Sequence, residues 1–131
     1  LPEIDLAYFD PPYNQHPYSS NYFMLNLIND YNIECEVSKV SGILQNWNKS
    51  TYNTKSMAKN ELMDLVSKTK AKYVLISYNS EGFITKEDFE EGLGKIGTYK
   101  IFEYNYNAFR GSRNLKEREM YVTEYLYLVK K

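Results

Sequence analysis

The sequence predicts an α/β fold, a sheet that is parallel at first, closed by an antiparallel strand and flanked by helices. Three observations point there. Two short apolar runs, IDLAYF at 4–9 and KYVLISY at 72–78, are separated by segments of helical spacing, the crossover that parallel neighbours require. Thr85-Lys86-Glu87-Asp88 has the form of a capping box that opens a further helix. Two alternating runs, TYKIFEYNY at 98–106 and YVTEYLYLV at 121–129, then read as an antiparallel strand pair.

Taken in order, residues 4–9 form a strand that stops at Asp10-Pro11-Pro12, because the prolines remove two backbone donors and force an extended exit. A polar loop leads to Ser19 or Ser20, either able to N-cap a helix over about 21–31, where Phe23/Leu27 and Met24/Ile28/Tyr31 repeat at helical spacing. Residues 32–53 are polar and irregular, contain Gly42, and read as loop with a short strand near 33–37. A helix over 54–69 places Ala58, Leu62, Leu65 and Val66 on one face. The strand at 72–78 does not alternate, the pattern of a strand covered on both faces. It ends in Asn79-Ser80-Glu81-Gly82, where the glycine suits a positive φ. The helix over 86–94 turns Phe89, Leu93 and Ile96 inward, and the last two strands are joined by a polar connector with Arg110, Arg113, Lys116 and Arg118.

A chain of 131 residues supports one domain, 1–131. No apolar run is long enough to span a bilayer as a helix, and the first residues show no secretory signal. A net charge of -1 argues against a surface that grips nucleic acid as a whole, so any such contact is local. The lone Cys35 fits a reducing compartment, and His16 with Cys35 is too small a set for a zinc cluster. The 14 tyrosines are the largest departure from average composition, though strand propensity accounts for most of them.

Two motifs bear on chemistry. Gly92-Leu93-Gly94-Lys95-Ile96-Gly97 fits G-x-G-x-x-G, but it ends a helix and leads into a strand, whereas phosphate binding needs the reverse. It reads as a helix C-cap and turn. Asp10-Pro11-Pro12-Tyr13 places a carboxylate and a proline-fixed carbonyl at the carboxyl end of a strand, two acceptors suited to an amine, with a ring beside them on which a base can stack. A proline-rich turn with Asp10 as turn former is the plain alternative.

The tetrapeptide resembles the motif of amino-methyltransferases. DPPYNQHPYSSNYFMLNLI, YVLISYNSEGFIT, the loop YNAFRGSR and the closing EYLYLVKK together, in this order, resemble the D12 class of DNA adenine methyltransferases. The resemblance implies a partial Rossmann-like methyltransferase sheet and an S-adenosylmethionine-dependent enzyme that methylates the exocyclic amine of adenine in duplex DNA, as in restriction–modification. Asp10 and the Pro11 carbonyl would accept from that amine, Pro12 would shape the loop, and Tyr13 would stack on the flipped base. Ser77, Tyr78 and Asn79 would line the adenine pocket, and Arg110 and Arg113 would contact phosphate or a base edge.

In that class the donor-binding glycine motif and the target-recognition segment lie upstream of DPPY, and nine residues precede Asp10 here. The resemblance therefore implies a truncated or split enzyme, inactive alone, in which Asp10 is a partial contact to S-adenosylmethionine and the main donor site is elsewhere. It also implies an unpaired edge at strand 4–9, hence self-association or a complementary N-terminal half, and a cytoplasmic protein of bacterial or phage type. The alternatives are a non-enzymatic remnant or accessory fragment that binds DNA or a partner, and an amino-methyltransferase acting on RNA or a protein amide.

Overall fold

A computed structural model of the chain describes residues 3–31, 38–39, 49–107 and 121–131. Strand β1 (Ile4–Phe9) stops at Asp10-Pro11-Pro12, as expected. The first helical segment differs from expectation at its start. It opens at Tyr18 behind Pro17, whose extended backbone stands at the N-cap in place of a serine side chain, and it is interrupted at Tyr22 into α1 (Tyr18–Asn21) and α2 (Phe23–Asp30). A proline already fixed in φ needs no hydroxyl to set the entry direction of the turn. Helix α2 ends where Tyr31 takes a left-handed φ of 50°. Of its spaced apolar residues only Phe23 is buried, while Met24, Leu25, Ile28 and Tyr31 are exposed.

A 3-10 turn over Thr51–Asn53, capped by the Ser50 side chain, leads into α3 (Lys55–Lys68). Ala58, Leu62 and Val66 recur one turn apart and are buried against the sheet, whereas Leu65 falls off that stripe and stays exposed. The carboxyl end of α3 is closed from a distance: the Lys131 ammonium donates to the carbonyls of Val66, Ser67 and Thr69 at 3.1, 2.7 and 2.6 Å. A cation there satisfies orphan acceptors and opposes the negative end of the helix.

Strand β2 (Ala71–Asn79) pairs parallel with β1, from Ile4 opposite Ala71 to Phe9 opposite Ile76. Helix α4 (Lys86–Gly94) opens with the expected capping box, Thr85 accepting from the Asp88 N–H and Asp88 from the Thr85 N–H. Strands β3 (Thr98–Asn107) and β4 (Tyr121–Lys130) form the antiparallel pair, and β4 inserts beside β2, giving the order β1-β2-β4-β3. The expected α/β sheet with one parallel pair and antiparallel closure is thus present. The strand foreseen near 33–37, with Cys35, Gly42 and the basic connector of Arg110, Arg113, Lys116 and Arg118, lies outside the described residues.

The core sits on one face of the sheet. Val74, Ile76, Tyr127 and Val129 point from β2 and β4 toward α3 and α4, meeting Leu62, Val66, Phe89 and Leu93, all without solvent exposure. Phe89 stacks on Tyr127 with ring centroids 4.2 Å apart. Each such side chain is worth about 1.5–3 kcal/mol on burial. The opposite face carries Ile4, Leu6, Tyr8, Tyr73, Phe102 and Tyr104, all exposed.

Candidate functional site

The loop that follows β1 leaves the sheet at its carboxyl edge. Phe9 is the last paired residue, opposite Ile76, so Asp10 departs level with Ser77. Asp10 is exposed, Pro11 is buried, Pro12 is half-buried and Tyr13 is exposed. Among the described residues none donates a hydrogen bond to the Asp10 carboxylate or to the Pro11 carbonyl. Two acceptors therefore stand together at the end of a parallel strand, where open α/β sheets place ligands.

The carbonyls of Tyr13 and Asn14, past Pro12, are engaged. The Tyr13 carbonyl accepts from the Phe83 N–H at 2.9 Å and, at a longer 3.4 Å, from the Tyr78 hydroxyl. The Asn14 carbonyl accepts from the Asn53 side-chain amide at 2.9 Å, and the Asn14 side chain accepts from the His16 N–H at 2.9 Å. Tyr78 is buried, its hydroxyl also accepts from the Ile84 N–H at 3.3 Å, and burial holds that hydroxyl in its protonated form above the usual range. The Tyr13 ring meets the Tyr78 ring edge-on, centroids 6.4 Å apart at 81°.

Gly82 makes this arrangement possible through space. Its φ is outside the left-handed region, contrary to expectation, but a Cβ there would lie 2.2 Å from the Tyr78 ring. The glycine lets the turn close over that ring.

Tyrosines gather around the loop. Tyr18 and Tyr22 have centroids 6.0 Å apart. The Tyr18 hydroxyl is pushed up first by partial burial and then by the charge of Asp10. Tyr106, at the far end of β3, donates to Glu124 at 3.2 Å; burial, then Glu124, raises it, with smaller effects from Tyr13 and Glu81. Together with the exposed ring of Tyr13 these offer flat, partly wet surfaces beside two acceptors that have no donor among the described residues.

The expected site residues separate into groups. Asp10, Pro11, Pro12 and Tyr13 form one loop, and Tyr78 and Asn79 support it from behind: the buried Asn79 accepts from the Glu81 N–H through its side chain and from the Gly82 N–H through its carbonyl, shaping the turn that delivers Phe83. Ser77 points to the other face of the sheet, into a depression shared with Phe102, Tyr104 and Leu126. Arg110 and Arg113 lie outside the described residues. Sequence reasoning missed Asn53, Phe83, Tyr18 and Tyr106. Only the tyrosine enrichment hinted at the last two.

The glycine run 92–97 offers no phosphate cradle. It ends α4, with the Lys95 N–H turned back to the Gly92 and Leu93 carbonyls, and Gly97 is needed because a Cβ there would stand 2.3 Å from the Lys130 carbonyl oxygen.

The family described as D12 class N6 adenine-specific DNA methyltransferase matches residues 2–91, from β1 through most of α4. The chain belongs to this family. Among curated relatives, it is 31% identical over 130 residues to the type II methyltransferase M.FokI of Planomicrobium okeanokoites, covering 97% of this chain and 20% of the relative. It is 29% identical over 129 residues to M.NlaIII of Neisseria lactamica, covering 97% and 38%, and 30% identical over 127 residues to M.CviAII of Paramecium bursaria Chlorella virus 1, covering 97% and 37%. This D12-class chain thus spans between a fifth and two fifths of the length of these relatives, and the alignments include the β3–β4 pair beyond the family match. No solved structure matches it significantly.

Proposed function

We propose that this chain carries the adenine-holding part of a DNA adenine methyltransferase of restriction–modification type. The observation that carries the reading is the pair of free acceptors: Asp10 and the Pro11 carbonyl stand at the carboxyl edge of a parallel strand with no donor bonded to them among the described residues, beside the exposed ring of Tyr13. Adenine's exocyclic amine has two N–H donors. Accepting from both holds the nitrogen in one orientation and raises electron density on it, and Tyr13 supplies a face for the base once it has left the duplex stack. S-adenosylmethionine, when bound, supplies the electrophilic methyl group. Asp10 borders its site, and the main contacts come from polypeptide beyond these 131 residues. No histidine base is required, since the positioned amine nitrogen attacks while still neutral and loses its proton afterwards. Arg110 and Arg113 are assigned to phosphate or base-edge contact, and Tyr78 and Asn79 to the backing of the adenine pocket, whereas Ser77, which faces the other side of the sheet, is left out of it. The cellular setting in this reading is the cytoplasm, for a protein of bacterial or phage type.

The partner in this reading is duplex DNA, together with the remaining part of a methyltransferase, which adds a strand beside β1. Relatives of which this chain covers only 20% and 38% support it, as do the outer edge of β1, which has no strand beside it among the described residues, and the exposed Ile4, Leu6 and Tyr8. Sedimentation of the chain with and without the complementary half of such an enzyme should show a one-to-one complex, and dimers of the chain alone that ignore the added half would favour a second copy as occupant. In the completed protein, methyl transfer to adenine in duplex DNA is expected, and Asp10→Ala should lower kcat by about a hundredfold or more, the scale of removing a key acceptor. Wild-type turnover that survives Asp10→Ala would refute the assignment. Tight calorimetric binding of S-adenosylmethionine to the chain alone would contradict a donor site placed mostly elsewhere.

A further inference from the structure

The two buried polar residues among the described residues are Asn53 and Asn79, 6% and 7% exposed. Both serve one loop. Asn79 shapes the turn that presents the Phe83 N–H to the Tyr13 carbonyl, and Asn53 reaches across 39 positions to donate to the Asn14 carbonyl. An amide buried in an otherwise apolar setting is unfavourable unless its donors are used, and an apolar side chain of the same size would pack there without that demand. Asn53 is therefore explained by the carbonyl it holds.

The consequence runs upstream along a stiff path. Pro11 and Pro12 have fixed φ angles, so few free torsions separate the Asn14 and Tyr13 carbonyls from the Asp10 and Pro11 acceptors. Three donors from two distant segments, Asn53, Tyr78 and Phe83, close on two successive carbonyls. We infer that Asn53 is a positioning residue: with Tyr78 and Phe83 as its co-holders, it locks the 11–14 backbone so that the Asp10 and Pro11 acceptors and the Tyr13 ring keep one relative geometry. This rests on the function proposed above for what the loop holds, but the locking itself can be read independently.

The test uses Asn53→Leu, which keeps the volume and removes the donor, with Asn53→Ala as a second variant in case the first disturbs packing. Amide hydrogen exchange by NMR on the chain should show the Phe83 amide exchanging about tenfold faster or more in either variant, while amides of β2 and β4 keep wild-type rates. Tyr78→Phe, which removes contacts of 3.3–3.4 Å, should give a smaller change in the same place. Unchanged protection at Phe83, or an equal loss throughout the sheet, would overturn the inference. In the completed methyltransferase, Asn53→Leu should lower kcat by about ten- to a hundredfold with KM for DNA and donor within about twofold, because the groups remain and only their aim is lost. An unchanged kcat beside an active wild type would equally count against it. A wild type without turnover sinks the proposed function instead, and the exchange result still decides whether Asn53 locks the loop.

Discussion

The two faces of the sheet are alike in composition and opposite in state. On one, Val74, Ile76, Tyr127 and Val129 are covered by α3 and α4 and lose all solvent contact. On the other, Leu6, Tyr8, Tyr73, Phe102 and Tyr104 remain 39–72% exposed. A sheet whose two faces are both apolar is built to be covered twice, as in proteins with helices on both sides. The described residues supply one cover. Stability of this chain should therefore reside almost wholly on the α3–α4 face, while the open face is kept for association.

The largest test of that contrast is a matched pair of aromatic truncations. Phe89→Ala empties the space stacked on Tyr127 and should cost about 3–5 kcal/mol in urea unfolding, whereas Tyr104→Ala on the open face should change stability by less than about 0.5 kcal/mol. Equal effects would mean that the open face is buried in solution. A smaller loss is expected from Gly82→Ala, which drives a methyl group into the Tyr78 ring and should cost about 1–3 kcal/mol, the range for overpacking. Its signature is local: the Tyr13–Phe83 hydrogen bond should weaken by hydrogen exchange before the sheet does.

These positions also show what the sequence discloses and what it withholds. Strand β1, the Thr85 capping box and the glycine run that ends α4 depend on neighbours within a few residues, and each was legible. Pro17 as helix opener was not, because serine is the stronger statistical cap. Met24, Ile28 and Tyr31 show why an apolar repeat foretells a helix but not its partner, since the helix formed and those residues stayed exposed. The sequence marks Gly82 for backbone freedom, yet its requirement comes from a ring brought over it by the fold. Asn53 was invisible for the same reason, since the carbonyl its side chain holds lies 39 residues away. In the candidate site, the acceptors were legible as a motif, and the groups that hold them were not.

The weakest effect concerns how the single cover is fastened. Lys59 on α3 pairs with Asp88 and Glu91 on α4 at 2.7 and 2.9 Å, and Lys95 pairs with Glu91 at 2.7 Å. Hydrogen bonds from Lys95 and then Lys59 hold the Glu91 carboxyl down at about 2 from the usual 4.5, and Lys59 chiefly lowers Asp88 as well. A carboxyl depressed in the folded state adds stability that is complete above its unfolded value and is lost as pH falls toward the folded one. The tie between α3 and α4 should then fade as pH drops from about 4.5 toward 2, and Lys59→Ala should flatten the dependence of Tm on pH in that window. The groups are partly exposed, so the change is small and should shrink further in 0.5 M salt, where the screening length is only about 4 Å. The open face carries none of these pairs, so an association through Leu6 and Tyr8 should keep its strength across the range in which the covered face loosens, provided the sheet stays folded. Loss of both in step would show that the helices, and not the sheet alone, present the open face to its partner.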